Sequence, residues 1–321
     1  MTNLKSAYSG KKVFITGHSG FKGTWMTEYL CLLGAEVVGY SLPDGNDIMD
    51  AERLQQAMAS ERFDFYFHLA AQSQVGIGYS LPKHTYLSNV MGTLHFLQAL
   101  RNINWPYAAV VVTTDKVYRH SDRSTPFHEN DPLGGHDPYS SSKACAEILT
   151  QSWVKSFLQG QRIATARSGN AIGGGDTNLG RIVPNYFDCL KRKVPVSIFT
   201  NSVRPWLHVL DVVEGYLALG AHLAGSLPFM RAYNFGPPIS EHHTVKRLVQ
   251  ELMKYNLGEF VETAPNFFEE PCIMLDSTRA AADFGWKSRF AFDQAVGMTA
   301  LWYEYGTLDC TVAQIKSHAN L

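Results

Sequence analysis

The sequence lacks a predominance of charge of one sign. Its 321 residues include 28 lysines and arginines against 29 aspartates and glutamates, so the formal net charge is −1. A protein that binds nucleic acid or an anionic membrane surface through electrostatics needs a basic excess, which this chain does not have. The composition therefore predicts no nucleic-acid partner and no membrane partner.

Long apolar runs are also missing. No run reaches the ~18 residues that a transmembrane helix requires, and residues 1–10 contain no apolar stretch resembling a signal sequence. We therefore expect a cytoplasmic protein. With 45% hydrophobic and 18% charged residues, the composition is that of a packed globular protein. The length suits a dinucleotide-binding domain with a smaller second domain.

Cysteine is scarce and irregularly spaced. The cysteines are odd in number and lack the paired spacing of zinc sites. We therefore expect no disulfide and no bound metal, and we expect these side chains to act as small buried apolar groups. The five cysteines are Cys31, Cys145, Cys189, Cys272 and Cys310.

What the sequence does contain, close to its N-terminus, is the order strand, glycine turn, helix, strand. The β-branched run 12–16 stops at Gly17, apolar residues follow with helical spacing, and 36–40 is a second apolar run. This order is that of a βαβ unit. Further strands are predicted at 63–70, 108–113, 163–167 and 232–235. Helices are predicted at 51–59, 88–100, 140–157, 245–255, 278–284 and 292–305.

The alternation of strands and helices predicts an α/β fold, namely a doubly wound parallel (Rossmann) sheet with its ligand site at the carboxyl ends of the strands. After Asn170 the alternation weakens. We therefore expect a smaller mixed α/β C-terminal substrate cap. The dinucleotide-binding domain is assigned to residues 1–170 and 207–238, and the cap to residues 171–206 and 239–321.

Three glycines lie between the first strand and the first helix, in the run Gly17-His-Ser-Gly20-Phe-Lys-Gly23. Glycine permits a tight turn and a close approach of backbone to pyrophosphate, and the helix N-terminus supplies free N–H groups. The run therefore predicts a dinucleotide cradle.

The second strand ends without the acid that normally holds the adenosine ribose, although Asp44 lies nearby in a turn. Lys22 is a candidate for a 2′-phosphate or an ordinary solvated residue, so NADP stays open behind NAD.

A candidate catalytic set lies further along the chain. Thr113-Thr114-Asp115-Lys116 follows a predicted strand, and Tyr139 and Lys143 are one helical turn apart. A tyrosine base needs its pKa lowered from about 10 toward neutrality, which is worth roughly 4 kcal/mol. An ammonium group and a cationic nicotinamide can supply this. Alone, the pair would be a common solvated helix pair; its place after the cradle favours catalysis.

Several motifs together resemble the extended short-chain dehydrogenase/reductase family. They are Gly17–Gly23, Asp47-Ile48-Met49-Asp50, His68-Leu-Ala-Ala71, Asn89-Val-Met-Gly-Thr93, Tyr139-x-x-x-Lys143 and Arg204-Pro-Trp. Within that family, five segments are similar to the CDP-glucose 4,6-dehydratases, namely GHSGFKG, TTDKVY, ENDPLGGHDPYSSSKACAE, ARSGNAIGGGD and RPWLHVLD. The resemblance runs from Lys12 to about Leu219, and beyond it covers only Asn234-Phe-Gly-Pro237 and Gly285-Trp286.

The resemblance implies a reaction. Thr114 would hydrogen-bond the sugar O4, and Tyr139 would take the O4 proton while hydride leaves C4 for NAD. Lys116, which stands where related dTDP-sugar dehydratases have glutamate, would act at C5 or would instead position water or substrate. Asp115 would protonate the departing C6 hydroxyl before hydride returns to C6. Asp115 and Lys116 favour dehydration over the alternatives, which are an epimerase or reductase of the same fold and a non-catalytic NAD-binding protein.

The resemblance also assigns binding residues. Cofactor binding would involve Gly17, His18, Ser19, Gly20, Phe21, Lys22, Gly23, Asp47, Ile48, Leu69, Ala70, Ala71, Thr113, Tyr139 and Lys143. Substrate binding would involve Gln72, Asn89, Asn170, Arg181, Arg204 and His208. Alternatives stay open for five of these residues. Asp47 could be an ordinary turn acid, Asn89 a helix-start or loop-supporting residue, Arg181 and Arg204 surface ion-pair residues, and His208 a packed core histidine.

Two further expectations concern shape and assembly. Only a few residues separate Tyr40 from Asp47, so the strand that the family normally has there must be a stub or absent. The predicted helices 88–100 and 140–157 carry apolar residues on more than one face. A sheet can cover only one face of a helix, so these two helices are expected to pair with a second copy as a homodimer.

Overall fold

The computed structural model describes residues 3–119, 125–199, 203–225, 231–264 and 273–319, so Cys272 lies outside the described residues. A six-stranded parallel sheet forms its centre, with the strand order β10-β5-β4-β3-β1-β2. The strands are β1 Lys12–Thr16, β2 Glu36–Tyr40, β3 Phe65–His68, β4 Ala108–Val112, β5 Arg162–Ser168, β6 Ala171–Ile172, β7 Val196–Phe199, β8 Val203–Pro205, β9 Leu207–His208, β10 Ala232–Phe235, β11 His242–Thr244 and β12 Phe260–Thr263.

Helices flank this sheet and build the rest of the chain. They are α1 Leu4–Tyr8, α2 Phe21–Leu32, α3 Ala51–Ala59, α4 Val75–Ser80, α5 Pro82–Tyr86, α6 Gly92–Arg101, α7 Pro138–Phe157, α8 Ile182–Arg192, α9 Val209–Gly225, α10 Val245–Leu252, α11 Thr278–Phe284, α12 Phe292–Tyr305 and α13 Leu308–Ala319. A π-helical turn, Leu87–Met91, leads into α6, and 3-10 turns occupy Leu42–Asp44, Asp115–Val117 and Ile239–Glu241.

The predicted doubly wound parallel sheet is confirmed, and all six of its strands were predicted. The helices at 51–59, 278–284 and 292–305 have the predicted bounds. The sequence analysis missed α9, whose residues from Val209 to Leu223 are all buried. A helix that is covered on every side has no polar face, so its sequence lacks the amphipathic period by which helices are recognised.

Apolar side chains bury both faces of the sheet. In β1, Val13 and Ile15 belong to one core cluster, whereas Phe14 between them belongs to another on the opposite face. This alternation follows from the two-residue period of a strand, and it requires helices on both faces. α2 and α9 cover the first face, and α3 and α6 cover the second. In a sheet covered on both faces, the ligand site is expected at the carboxyl ends of the strands.

A third apolar cluster joins α8, α10 and α12 with strand β7. By contrast, Phe284 of α11 and Ile315 of α13 belong to the cluster on the main sheet. C-terminal segments therefore contribute to both regions. The division into a dinucleotide-binding domain and a cap at the boundaries given above stays a prediction.

The structure at the edge of the sheet confirms that the strand normally found between Tyr40 and Asp47 is absent. Between Tyr40 and α3 the chain forms only the 3-10 turn Leu42–Asp44, and the sheet ends at β2. The turn exposes Leu42 and ends in Gly45, whose φ is +74°. Among the residues that the structure describes, no helix combines the length and the apolar character needed to cross a membrane.

Candidate active site

The glycine run after β1 forms a tight cradle at the carboxyl end of the strand. Gly17 has a φ of +75°, and a Cβ atom at this position would lie 2.7 Å from the backbone nitrogen of Ala70. A Cβ atom on Gly23 would lie 2.1 Å from the carbonyl oxygen of Gly17. Gly20 precedes the first residue of α2 and provides no capping side chain. The cradle and the helix start thus fit the pyrophosphate of a dinucleotide.

The end of β2 presents a hydroxyl where this type of fold usually has an acid, as the sequence predicted. Ser41 is buried, and its Oγ accepts a hydrogen bond from the Ser19 backbone N–H at 3.2 Å. It also lies 2.9 Å from His18 Nδ1. Asp44, at the end of the next turn, lies 3.5 Å from His18 Nε2. These side chains therefore surround the position that an adenosine ribose takes in a doubly wound fold.

The two interpretations of Lys22, as a solvated residue or as a ligand of a 2′-phosphate, are both wrong. Its side chain points neither to solvent nor to a 2′-phosphate position. Its Nζ donates hydrogen bonds to Ser168 Oγ (2.8 Å) and to Tyr216 OH (3.3 Å), under the carboxyl ends of the central strands. Burial and the charge of Arg181 lower the pKa of Lys22 to about 7, with a smaller contribution from Lys143. Helix α2 turns this side chain toward the candidate catalytic residues.

Thr114 and Asp115 meet at the carboxyl end of β4. Thr114 caps the turn Asp115–Val117, and its hydroxyl donates to Asp115 Oδ1 at 2.9 Å. Asp115 Oδ2 is buried without a hydrogen-bond partner in the described part of the chain. Burial raises the pKa of Asp115, although the charge of Lys116 opposes the shift. A buried carboxyl group with a raised pKa can keep a proton and donate it.

Tyr139 and Lys143 lie on one face of α7, and both are buried. Lys143 Nζ donates to the carbonyl oxygen of Val112 at 3.0 Å, and burial lowers its pKa to about 8. Burial raises the pKa of Tyr139 to about 12, although a hydrogen bond with Thr114 lowers it in part. The protein groups alone therefore do not lower this pKa. The predicted lowering, which combined the lysine with a cationic nicotinamide, stays a prediction.

Two arginines approach the same cleft from the region after residue 170. Arg181 Nη1 donates to Asp176 Oδ2 at 2.9 Å, and its Nη2 donates to Ser73 Oγ at 3.1 Å. Arg204 in β8 is buried, and its charge acts on the pKa of Asp115. Arg181 lowers the pKa of Tyr139 in the same way. Both guanidinium groups thus lie near the candidate catalytic residues.

Other predicted ligand-binding residues use their polar atoms to hold the protein together. Asn89 is buried; its Oδ1 accepts from the Gln72 backbone N–H at 2.9 Å, and its Nδ2 donates to Ser142 Oγ at 2.8 Å. The Gln72 amide donates to Thr85 Oγ1 at 2.8 Å. Thr113 donates its hydroxyl to a carboxylate of α7. These side chains position the loop after β3 against α7.

His208 is another correction. It is fully buried between Trp25 and Phe290, with ring centroids 5.7 Å and 5.2 Å away. Burial lowers the pKa of His208 to about 3, so the ring is neutral. The structure therefore favours the alternative interpretation of His208 as a packed core histidine. Asp47 is exposed, and its Oδ1 accepts from the Met49 N–H at 2.9 Å, as in an ordinary turn.

The sequence analysis missed the side chains behind the catalytic pair. Ser168 and Tyr216 hold Lys22, and Glu147 forms a buried ion pair with Arg167. One signal was available for Glu147, since it follows Lys143 by four positions on the same helix face. Ser168 and Tyr216 come from distant elements, so no spacing in the sequence connects them.

Comparison with known proteins agrees with this geometry. Residues 13–236 match the NAD dependent epimerase/dehydratase family. The CDP-glucose 4,6-dehydratase of Salmonella typhimurium is 32% identical, over 94% of this chain and 92% of that protein. The dTDP-glucose 4,6-dehydratase of Haemophilus influenzae is 24% identical, over 92% of this chain and 98% of that protein.

Solved structures show the same fold. The dTDP-glucose 4,6-dehydratase of Streptomyces venezuelae, solved with NAD bound, superposes with a TM-score of 0.81 at 22% identity, over 92% of this chain and 97% of that chain. A UDP-glucose 4-epimerase of Thermus thermophilus, also solved with NAD, gives a TM-score of 0.80 at 22% identity, over 92% of this chain and 100% of that chain. The family match spans nearly all of the six-stranded sheet, the cradle after β1 and the helix α7 that carries the Tyr-Lys pair. With this match and its predicted motifs, the chain belongs to the NAD dependent epimerase/dehydratase family, among the extended short-chain dehydrogenases/reductases.

Proposed function

We propose that the protein is an NAD-dependent sugar-nucleotide 4,6-dehydratase that converts CDP-glucose to CDP-4-keto-6-deoxyglucose. The observation that carries this proposal is the contact of Thr114 with both Asp115 and Tyr139. One hydroxyl thereby connects a buried carboxyl group suited to give a proton with a phenol suited to take one. The relative from Salmonella typhimurium supports the choice of substrate.

When bound, NAD would supply the hydride chemistry of the reaction, which is oxidation at C4 and reduction at C6. The glycine run and the start of α2 hold its pyrophosphate, and residues 69–71 line the same edge of the sheet. Ala70 N–H is bonded to Thr16 Oγ1 at 3.3 Å, which fixes the loop beside Gly17. Ser41 and His18 lie at the end of β2, where the ribose would bind. The relatives of the same fold that were solved with NAD support NAD over NADP.

Tyr139 removes the proton from the sugar O4, and Lys143 provides the positive charge that favours the phenolate. Thr114 hydrogen-bonds O4 and keeps it beside Tyr139. A ketone at C4 makes the C5 proton acidic. Lys116 takes this proton during the elimination and returns it to C5 when hydride adds to C6. Asp115 gives its proton to the departing C6 hydroxyl, which leaves as water. The net reaction is the loss of one water molecule, and the cofactor ends in its starting oxidation state.

Binding of the substrate falls to the two cleft arginines and Asn170. Arg181 and Arg204 present guanidinium groups that suit a pyrophosphate. Asn170 directly follows β5, and its backbone oxygen accepts from Leu207 N–H at 3.0 Å, so it stands between the main sheet and β9. We place the substrate between the dinucleotide-binding domain and the cap, at the boundaries predicted from the sequence.

We also propose a homodimer through α6 and α7. Ile148 on α7 is 54% exposed, and Leu87 and Met91 expose apolar groups beside α6. Light scattering should give a dimer at micromolar concentration. Ile148→Glu should give a monomer, whereas Leu257→Glu, at an exposed leucine away from these helices, should not change the mass. A monomeric wild-type protein would contradict the proposal.

A cytoplasmic location completes the proposal, because nucleotide-activated sugars and NAD are both available there. The thiols of Cys31, Cys145, Cys189 and Cys310 are free, as is usual for a protein in a reducing compartment. Cell fractionation with an antibody to the native protein tests this. Recovery in the membrane or secreted fraction would contradict it.

The activity is tested by incubation with a panel of CDP-, dTDP-, GDP- and UDP-hexoses and NAD, followed by mass spectrometry. We expect loss of one water from CDP-glucose and a slower or absent reaction with the other nucleotides. Interconversion without loss of water would identify an epimerase, and net oxidation or reduction of added cofactor would identify a reductase. Either result would overturn the dehydratase assignment.

A further inference from the structure

A buried constellation of polar groups lies directly behind the candidate catalytic residues. Glu147 of α7 and Arg167 of β5 both have side chains that are 0% exposed. Arg167 Nε donates to Glu147 Oε1 at 2.9 Å, and Arg167 Nη2 donates to Oε2 at 2.7 Å. A two-point contact of this kind fixes the orientation of both planar groups as well as their separation.

Two threonine hydroxyls complete the bonding of the carboxylate. Thr113 donates to Glu147 Oε1 at 2.5 Å, and Thr165 donates to Oε2 at 2.8 Å. Burial raises the pKa of Glu147, but the charge and hydrogen bonds of Arg167 and the two hydroxyls outweigh it and lower the pKa below its usual value. The carboxylate is therefore ionised, and it ties α7 to the carboxyl end of β4 and to β5.

On the side of α7, the Glu147–Arg167 pair acts on the helix face that carries Tyr139 and Lys143, called the Tyr-Lys face below. Tyr139, Lys143 and Glu147 are spaced by four positions, so they lie on one face of α7. Lys143 is bonded to the carbonyl oxygen of Val112, next to the threonine that Glu147 holds. Burial lowers the pKa of Lys143, and the charge of Glu147 opposes that lowering. Glu147 therefore influences both the place and the charge of this lysine.

On the other side, the pair holds the turn that carries Asp115. Arg167 Nη1 donates to Tyr118 OH at 2.9 Å and to the carbonyl oxygen of Glu129 at 3.1 Å. The guanidinium carbon also lies 5.0 Å from the centre of the Tyr118 ring. Tyr118 directly follows the turn Asp115–Val117, and its hydroxyl donates to Asn234 Oδ1 at 2.6 Å. The end of this turn is thus fixed to Arg167.

We infer that the Glu147–Arg167 pair is a positioning element that joins the two halves of the catalytic set, and this inference rests on the proposed function. One half is the α7 face with its tyrosine and lysine, and the other is the turn with Asp115. Neither member of the pair faces the cleft, since both are fully buried. Apolar residues of similar volume can often replace a buried ion pair without loss of stability. Stability alone therefore does not account for the pair, whereas a fixed geometry between two elements does.

The first test replaces Glu147 by glutamine, which keeps the shape and removes the charge. We expect Glu147→Gln to slow the first hydride transfer by ~10–100-fold with little change in KM, because a small misplacement of reacting groups has effects of this size. Loss of the negative charge also lowers the pKa of Lys143, so the alkaline limb of the pH–rate profile should move to lower pH. Competitive labelling of Lys143 with acetic anhydride, read by peptide mass spectrometry, should show the same downward shift without any turnover.

A matched control is available elsewhere in the fold. Glu214 is also buried, and it pairs with Arg289 Nη2 at 2.5 Å and with His318 Nε2 at 2.9 Å. Glu214→Gln removes a buried paired charge in the same way, but on α9, away from the Tyr-Lys face. We expect it to lower the melting temperature while leaving the labelling midpoint of Lys143 and the pH profile unchanged.

A second variant tests the half with the Asp115 turn separately from the half with Tyr139 and Lys143. Tyr118→Phe removes only the hydroxyl that Arg167 holds beside the Asp115 turn. We expect it to slow elimination more than the first hydride transfer, so reduced nicotinamide should accumulate. Should Glu147→Gln fail to fold, Thr165→Val removes a single hydrogen bond to the carboxylate and should shift the same readouts in the same direction by a smaller amount.

Two outcomes would overturn the inference. One is a wild-type labelling midpoint of Lys143 in folded Glu147→Gln, or in Thr165→Val when it is the variant that folds. The other is an equal shift in the Glu214→Gln control. Failure of the proposed function is recognised separately, because the wild-type protein would then transfer no hydride from any nucleotide sugar. The labelling midpoints would still decide the role of Glu147 in that case.

Discussion

The front of the site contains Asp115 and Tyr139, and its back is the buried Glu147–Arg167 pair. The two parts differ in how completely their polar atoms are hydrogen-bonded. At the front, Asp115 keeps one buried oxygen without a hydrogen-bond partner in the described part of the chain, and burial raises the pKa of both Asp115 and Tyr139. At the back, each oxygen of Glu147 accepts two hydrogen bonds, and its charge is balanced by Arg167. Groups that must exchange protons are left incompletely bonded, and fully bonded groups behind them keep them in place.

The largest effect is expected at the front, from Tyr139→Phe. The variant cannot form the phenolate that accepts the O4 proton, so the first hydride transfer should fall by ~10²–10⁴-fold and no reduced nicotinamide should appear. Stopped-flow absorbance at the reduced nicotinamide band measures this. Tyr66→Phe is the control, since Tyr66 is a buried tyrosine that donates to Met58 O within the core. Equal losses in the two variants would contradict the role of Tyr139.

Asp115→Asn should also have a large effect, but at a later step. Asparagine keeps the size of the side chain and cannot give a proton to the C6 hydroxyl. Dehydrated product should therefore fall by roughly 10²-fold or more, while reduced nicotinamide accumulates. Product formation at the wild-type rate would remove the residue that distinguishes a dehydratase from an epimerase or reductase.

In the cradle, Gly23→Ala should weaken NAD binding by about 10²-fold, because its Cβ atom would lie 2.1 Å from the carbonyl oxygen of Gly17 and the turn must shift. Isothermal calorimetry measures the affinity. Gly76→Ala in α4 meets nothing within 4 Å and should bind NAD as the wild type does. Wild-type affinity in Gly23→Ala would show that the cradle does not hold the cofactor.

A smaller effect is expected from Arg181→Ala. Loss of this guanidinium should raise KM for the nucleotide sugar by about tenfold, with a lesser change in kcat, because Arg181 is partly exposed and its contact is screened. Arg192→Ala at the other end of α8 is the control, since Arg192 is exposed and pairs with Asp188 one turn earlier on the same helix. If kcat falls and KM does not change, Arg181 serves the chemistry rather than substrate binding.

The smallest effect near neutrality should be the pH dependence of the first hydride transfer. Burial lowers the pKa of Lys143 to about 8, so the ammonium form is complete below that pH and is lost as the pH rises through it. The rate should therefore be about half-maximal near pH 8 on the alkaline side. A rate that keeps rising well above this pH would show that the charge of Lys143 is not required.

The sequence predicted the front of the site better than its back. Thr114, Asp115, Tyr139 and Lys143 follow a strand or begin a helix, so local order alone was enough to bring them together. Arg167 meets Glu147 only because β5 packs under α7, and a single sequence does not give that register. The prediction of the fold succeeded because parallel strands and their turns are local patterns.

The errors concern side-chain direction. Lys22 was placed correctly at the start of α2, but the rotation of the helix decides that it faces Ser168 and Tyr216. His208 follows a conspicuous motif, but packing between Trp25 and Phe290 removes it from the cleft. In both cases the residue lies in the predicted element, and contacts with distant elements determine what its side chain can do.

The central claim, internal hydride transfer from C4 to C6 with loss of water, is tested most directly with CDP-glucose that carries deuterium at C4. The wild-type protein and unlabelled NAD should give a product that is lighter by one water and carries the deuterium at C6, as determined by mass spectrometry and nuclear magnetic resonance. Deuterium found at C4 of an epimerised sugar, or lost to free cofactor, would contradict the account.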